Sequence, residues 1–494
     1  MSIEQKAIKG VFWSSIQNWG SQTGSLITFL VLARLLSPED FGLVALANTF
    51  VVFFNLFVDQ GFSTALVQRH ELDEAHVNTA FWVQLLLGIF LTLLGISSAG
   101  WVADRFQQPL LAPILRWFSS IFLLRALSMV QRALLKRKLA FKEIAIRALS
   151  GIILGGLVGI SMAVGGHGVW SLVGQQLTYE GVGVVAFWGF SEWRPKGQVS
   201  LRHLKELSDF GISIFGSNIL TFFNNNSDTL LIGYFLGEVV LGYYAIAYRV
   251  LQVLTQLLIG TGTQVTLPIL ARFQTEPRRL ASAFYKIIGY VSLVAIPTFM
   301  AVVFLASELV IVIFGRHWAP AIPMMQVLAF GGVFYLILFF NISVFVAMGK
   351  PHLRFRLEIL NAVLNILCCV IAVRWGGLAV AYAFAISDFL VIPASLWTLK
   401  RVMKVSLKDY LKQFAAPSIC TAFMILLIGL LRLWLQDTLP LQLVLIICTL
   451  SGAAFYIFCL RRFAPVLFQE ICDLAKTGFS QRSEPSKVEE CAKN

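Results

Sequence analysis

Apolar residues in this chain run in long unbroken blocks, not in the alternation of a half-buried strand or the one-sided stripe of a surface helix. A helix needs roughly 20 apolar residues to cross the hydrocarbon core of a bilayer. The blocks predict fourteen such spans, near residues 11–33, 41–63, 78–100, 108–130, 145–165, 169–190, 208–233, 239–271, 283–305, 324–347, 355–374, 376–398, 413–435 and 440–461. Backbone polar groups in lipid must bond within their own segment, so the blocks read as helices. The expected fold class is all-α, a polytopic membrane protein. On the side opposite the amino terminus the connections Leu35–Asp40, Gly165–Gly168 and Gly237–Val239 are a few residues each, and the largest, Gly315–Pro323, is still small. They leave no room for a separate active domain, so the chain's work lies inside the bilayer.

Composition agrees: 57% of the 494 residues are hydrophobic and 13% charged, against about 25% charged in soluble proteins. The net charge of +13 does not point to nucleic acid, because the basic residues sit in short clusters between apolar runs. The densest are Arg132, Lys136, Arg137, Lys138, Lys142 and Lys400, Arg401, Lys404, Lys408, Lys412. Fourteen spans put both termini on one side, and about 31 of the Lys and Arg fall in loops there against about 5 opposite, which marks that side as cytoplasmic. Lys6 and Lys9 precede an apolar stretch that lacks a small-x-small cleavage site, so the first span reads as retained. Past Phe463 a short amphipathic stretch leads to a polar tail, 481–494, that reads as disordered. The seven cysteines (Cys368, Cys369, Cys420, Cys448, Cys459, Cys472 and Cys491) show no metal or redox spacing and read as small apolar residues. No metal or cofactor is expected.

An internal repeat is visible at an offset of 200 positions. Phe41-Gly42-Leu43-Val44-Ala45-Leu46-Ala47-Asn48 aligns with Leu241-Gly242-Tyr243-Tyr244-Ala245-Ile246-Ala247-Tyr248. The same offset carries Asn18 onto Asn218, Ser21 onto Thr221, Ser25 onto Asn225 and Thr28 onto Asp228. A looser match, Gly168-Val169-Trp170 with Gly377-Leu378-Ala379, brings Glu180 close to Asp388. Each repeat then holds six spans, and an even number keeps both in the same orientation, as in transporters that rock two halves about a central site. The expected organisation is an amino-terminal lobe over 1–190, a second lobe over 191–398, an added pair of spans within 399–463, and a tail over 464–494.

Polar groups within the spans are candidate functional residues. Ser14, Asn18, Ser21, Ser25 and Thr28 form one stripe along the first span, and Ser217, Thr221, Asn224 and Asp228 form one along the seventh. Such stripes either hydrogen-bond between helices or line a hydrated cavity. Two stripes at equivalent repeat positions favour the cavity, with Asn18, Asn218 and Asn225 on its wall. Arg125, on one face with Arg132, and Arg249, beside Tyr248 and Gln252, sit inside spans. They either engage an anionic head group, since guanidinium matches phosphate in a bidentate fashion, or pair with buried carboxylates. Tyr248 is a candidate for stacking on a sugar. Asp59 and Asp228 are candidates for a coupling proton or sodium ion, or for pairing with an arginine. Gly151, Gly155 and Gly159 read as a close-packing series. No phosphate loop, nucleophile elbow or metal pair occurs, and the chain does not read as an enzyme.

The amino-terminal part carries Lys9-Gly10, Trp13, Ala33-Arg34-Leu35-Leu36-Ser37-Pro38-Glu39-Asp40-Phe41-Gly42, Asp59-Gln60-Gly61-Phe62 and Ala65-Leu66-Val67-Gln68-Arg69. In these residues it resembles the polysaccharide transporter family, the Wzx-type flippases of the multidrug/oligosaccharidyl-lipid/polysaccharide superfamily. Leu134-Leu135-Lys136-Arg137-Lys138-Leu139-Ala140-Phe141-Lys142 is similar to the colanic acid and lipopolysaccharide exporter branch. The resemblance implies two six-helix lobes in a V around a central cavity. It also implies translocation of undecaprenyl-diphosphate-linked oligosaccharide across the bacterial cytoplasmic membrane, with the lipid-linked oligosaccharide, membrane lipids and the polysaccharide polymerase and export machinery as partners. The last two spans would be extra, as in lipid II flippases, where an added pair helps form a groove for the lipid tail. A cation-coupled drug exporter of the same superfamily is the alternative, and a membrane glycosyl polymerase a more remote one.

Overall fold

The computed structural model describes residues 3–58, 62–69, 72–197, 199–200, 212–272, 276–403, 405–465 and 468–469. Among these residues the structure is helical, with no strand. Fourteen long helices occupy the predicted spans: α1 (Ile3–Leu35), α2 (Pro38–Val58), α3 (Glu74–Phe106), α4 (Leu111–Arg137), α5 (Phe141–Val164), α6 (Trp170–Phe190), α7 (Ile212–Phe235), α8 (Gly237–Arg272), α9 (Pro277–Phe304), α10 (Ile322–Ala347), α11 (Pro351–Ala372), α12 (Gly377–Met403), α13 (Leu407–Leu435) and α14 (Leu441–Phe463). Short helical pieces intervene at Phe62–Gln68 and between α9 and α10. Among the described residues ten spans are long and apolar enough to cross a membrane by length and composition alone, so this is a multi-pass membrane protein. The four helices outside that set, α1, α6, α7 and α8, carry the polar stripes, Glu180, Asp228 and Arg249. The expected amphipathic stretch past Phe463 and the polar tail fall almost wholly outside the described residues.

The chain forms two compact units. One comprises 1–247, 313–324 and 358–384, the other 248–312, 325–357 and 385–494. Within the first, the 200-residue repeat has a three-dimensional counterpart. Gly42 near the start of α2 lies against the backbone of Glu238, and Gly242 near the start of α8 lies against the backbone of Pro38. A Cβ on either glycine would overlap the carbonyl oxygen facing it. The two repeats therefore cross reciprocally at matching positions. Gly237, at φ 83°, makes the tight turn that delivers α8 to this crossing. Trp318 is wholly buried beside it: its Nε1–H donates to the Ala33 carbonyl at 2.7 Å, and its ring meets Phe41 and Tyr243 edge-on at 5.5 and 6.1 Å.

The glycine series on α5 packs as its spacing predicts. A Cβ on Gly155 would stand 2.8 Å from the Gln175 carbonyl oxygen, and one on Gly159 would stand 2.9 Å from the Gln175 Cβ, so α5 and α6 touch backbone to backbone. The segment after α6 is extended and held along α3. Lys196 N–H donates to Asn78 Oδ1 (2.9 Å), Ser200 N–H to Thr79 Oγ1 (3.1 Å), and Trp82 Nε1–H to the Lys196 carbonyl (2.8 Å). These bonds satisfy Asn78 Oδ1 and Thr79 Oγ1 at fully buried positions.

In the second unit, α13 and α14 pack on α9 through Leu293, Cys420, Met424, Ile428, Val444, Cys448, Tyr456 and Cys459. The five described cysteines are free thiols, and four of them are buried in helix packing. Glu308, in the link after α9, accepts from Arg432 Nε of α13 at 2.6 Å, and Arg432 Nη2 donates to Ser307 Oγ at 2.8 Å. This ion pair fixes one end of the added helix pair.

The crossing sets a prediction. Alanine at an open helix position stabilises by up to about 1 kcal/mol, whereas overpacking a tight contact costs about 1–3 kcal/mol. Gly42→Ala and Gly242→Ala should each lower the thermal unfolding midpoint, while Gly100→Ala, with nothing near its Cβ position, should hold or raise it. Equal midpoints for all three variants would show that the crossing is not a tight contact.

Candidate functional site

A cavity of about 400 Å³ opens within the first unit, lined by residues of α2, α4, α5 and α6 and by Ser63. Its polar wall is cationic: Arg125 and Arg132 from α4 and Arg147 from α5 face one carboxylate, Glu180 from α6. Arg125 and Arg132 are seven residues apart, two helical turns, and so share a face of α4. Arg147 stands one turn before Gly151 on the glycine face of α5, which packs on α6. Gly183 on α6 leaves the room that the Arg147 guanidinium fills, since a Cβ there would overlap it.

Glu180 is the hub. Its side chain is 7% exposed, against 11% for Arg147 and 36% for Arg125. Arg125 Nε and Nη2 both donate to Glu180 Oε1, at 2.8 and 2.7 Å, and Arg147 Nη2 donates to Oε2 at 3.3 Å. Arg147 Nη1 also donates to Tyr179 Oη at 2.8 Å, and its guanidinium lies 4.5 and 5.2 Å from the Tyr179 and Phe187 ring centres. That geometry adds cation–π attraction. Arg147 Nε is buried with no acceptor. Arg132 is exposed and enters no ion pair among the described residues. Three guanidiniums against one carboxylate leave the cavity with a net positive charge and with donors still uncommitted, Arg125 Nη1 among them. A pocket with this balance of charge attracts anions more than cations.

Arg125 thus pairs with a buried carboxylate and also lines a cavity. The other expected residues lie elsewhere. Asn18 on α1 and Asn225 on α7 are exposed, and Asn218 is half-buried. Thr28, at the end of the first stripe, turns its hydroxyl back to the Gly24 carbonyl at 2.9 Å. Arg249 and Tyr248 are half-buried in the second unit, where Arg249 Nη1 reaches Gln252 Oε1 at 3.5 Å. None of these residues lines the arginine cavity. Asp228 is 0% exposed, and its carboxylate accepts from Tyr244 Oη and, at 2.7 Å, from the Thr229 N–H. Nearby on the same unit, Asn365 Nδ2 of α11 donates to the Asn224 carbonyl at 2.7 Å, and Cys369 Sγ to Asn365 Oδ1 at 3.2 Å. No arginine pairs with Asp228 among the described residues. Asp59 lies outside them.

Sequence reasoning passed over Arg147 and Tyr179. Arg147 stands at the edge of its span, where a basic residue reads as juxtamembrane. The signal was the spacing: Arg147, Gly151, Gly155 and Gly159 repeat every four residues, which puts Arg147 on the face that meets Glu180's helix.

Residues 31–323 match the family described as "Polysaccharide biosynthesis protein". The chain belongs to this family. Among curated relatives, this polysaccharide biosynthesis protein is similar to the teichuronic acid biosynthesis protein TuaB of Bacillus subtilis (strain 168), at 26% identity over 94% of this chain and 97% of TuaB. It is also similar to the succinoglycan biosynthesis transport protein ExoT of Rhizobium meliloti (strain 1021), at 29% identity over 65% of each chain. Among solved structures it shares its fold with the lipid II flippase MurJ in an inward closed conformation. The TM-score is 0.74 at 16% identity, over 92% of this chain and 99% of MurJ.

The clamp on Glu180 carries a quantitative expectation. Breaking a buried ion pair by removing one partner costs about 3–5 kcal/mol. Glu180→Gln should lower thermal stability sharply, because it leaves Arg147 buried without its counter-charge, and adding Arg147→Gln should recover part of the loss. Purely additive effects in this double-mutant cycle would remove Glu180 from the role of hub.

Proposed function

We propose that this polysaccharide biosynthesis protein is a flippase that carries an undecaprenyl-diphosphate-linked oligosaccharide, a precursor of surface polysaccharide or lipopolysaccharide, from the cytoplasmic to the periplasmic face of the bacterial cytoplasmic membrane by alternating access. The observation that carries the reading is the arginine cavity. A diphosphate needs cationic donors inside the membrane, where a bare charge is most costly, and Arg125, Arg132 and Arg147 supply them around one carboxylate. The relatives' part in polysaccharide biosynthesis and the flippase fold support the same cargo class. The repeats over 1–190 and 191–398 are the moving lobes in this reading, and both termini are cytoplasmic. Arg249, Tyr248, Asn18, Asn218 and Asn225 are further candidates for contact with the oligosaccharide. Asp228 and Asp59 are the candidates for the coupling ion. The polysaccharide polymerase and export machinery are the expected receivers of the cargo.

The alternative, a cation-coupled drug exporter, calls for a small cavity dominated by carboxylates. Three arginines to one glutamate is the opposite balance.

Reconstitution decides between them. Liposomes loaded on one leaflet with a prenyl-diphosphate-linked oligosaccharide should expose the sugar to an added lectin on the other leaflet only when the protein is present. Arg125→Gln combined with Arg132→Gln should slow this at least tenfold, and Arg249→Ala should slow it without loss of folded protein. Absence of oligosaccharide transfer alongside uptake of a lipophilic cation would overturn the flippase reading in favour of the exporter.

A further inference from the structure

A second cavity, of about 190 Å³, lies in the same unit between α2, α3 and α4. It is an aromatic crevice, lined by Phe50, Phe53, Phe54, Trp101 and Phe122 together with small and aliphatic side chains. The sequence reading did not single it out, and neither the fold nor the head-group cavity accounts for it. Its lining is nearly devoid of polar atoms, and Trp101 at its margin is 71% exposed, so the crevice opens outward from the unit. In a membrane-spanning chain, an outward-opening apolar cleft is met by hydrocarbon.

The two cavities are successive stretches of the same two helix faces. On α4, Leu115, Ser119 and Phe122 line the crevice, and Arg125, Ser128, Met129 and Arg132 line the arginine cavity. Apart from the adjacent pair Ser128 and Met129, these positions advance by three or four residues, which is one continuous stripe. On α2 the change falls between adjacent residues, from Phe54 in the crevice to Asn55 in the arginine cavity. At 1.5 Å per residue the stripe from Leu115 to Arg132 is about 26 Å long, close to the roughly 30 Å of a bilayer's hydrocarbon core. Of that, about 15 Å separates Arg125 from Leu115. The stripe is therefore cationic at the end nearest the basic cluster Arg132–Lys138 and apolar along the rest.

We infer that the crevice holds the first part of the hydrocarbon chain of the same molecule whose diphosphate occupies the arginine cavity, so that head and tail are bound together along one face of α2 and α4. The inference rests on the head-group reading of the arginine cavity, and it moves the tail site from the α13–α14 pair to the amino-terminal unit. The occupant is the prenyl cargo, because the apolar stretch is continuous with a cationic pocket sized for a head group. An ordinary phospholipid would match the chemistry, and the test separates the two.

Full-length protein in zwitterionic nanodiscs is photolysed with farnesyl diphosphate that carries a diazirine at the far end of its chain, and the labelled peptides are mapped. Labelling should concentrate on 50–54, 98–102 and 115–122. Inorganic diphosphate in excess should reduce it at least tenfold, as should Arg125→Gln with Arg132→Gln. Ser98 of α3 also lines the crevice, and Ser98→Trp, which fills it, should abolish labelling there while leaving binding of inorganic diphosphate unchanged. Labelling centred on α13 and α14 would overturn the inference and leave the arginine cavity untouched. Crevice labelling that ignores both inorganic diphosphate and the arginine variants would overturn the joined site and the head-group reading with it. Equal competition by phosphatidylglycerol would show a general lipid cleft and overturn the cargo assignment.

Discussion

A charge placed in hydrocarbon must find a partner or water, and that constraint shapes the amino-terminal unit more than any other. Glu180 meets it with two arginines from two different helices, α4 and α5. For Arg147 to reach Glu180, α5 and α6 must run in backbone contact, which the glycines at 151, 155 and 159 allow, and α6 must offer Gly183 as a seat for the guanidinium. Small residues, ion pair and cavity are thus one arrangement. A Cβ on any glycine of the series would come within 3.0 Å of an α6 residue.

The same constraint explains how a structural ion pair can serve in binding. A cavity with equal numbers of opposite charges would be satisfied and inert. Here the carboxylate holds two guanidiniums in place without consuming all their donors, and the third, on Arg132, is left to the cavity. Arg125 and Arg147 are thus oriented before any ligand arrives, and in the proposed flippase an anionic head group would not have to gather flexible side chains, which is where binding energy is otherwise lost. Asp228 contrasts with it. Its carboxylate is closed in by Tyr244 and the Thr229 amide, so it is shielded in this conformation and does not line the arginine cavity.

Much of this was legible in the residues. Block length alone located all fourteen long helices, because the hydrocarbon core admits few other solutions, and the offset that carries Phe41-Gly42 onto Leu241-Gly242 marked a crossing that the structure shows as reciprocal. Depth within a span singled out Arg125. What sequence could not supply was partnership. Glu180 lies 55 residues from Arg125, and nothing in a one-dimensional pattern says that their helices meet. Arg147 was hidden by its position at a span edge, where a structural and a juxtamembrane arginine look alike. The aromatic crevice was invisible for a plainer reason: Phe50, Phe53, Phe54 and Phe122 are ordinary membrane residues until α2, α3 and α4 are placed side by side.

In the proposed flippase the cargo's anionic group binds where Glu180 now holds Arg125. The decisive measurement is a structure of the full-length protein in nanodiscs with a bound prenyl-diphosphate-linked sugar. Phosphate density is expected within hydrogen-bond reach of Arg125 and Arg132, with Glu180 still on Arg147. Phosphate density at a site that touches none of the three arginines, with the cavity unchanged, would contradict it.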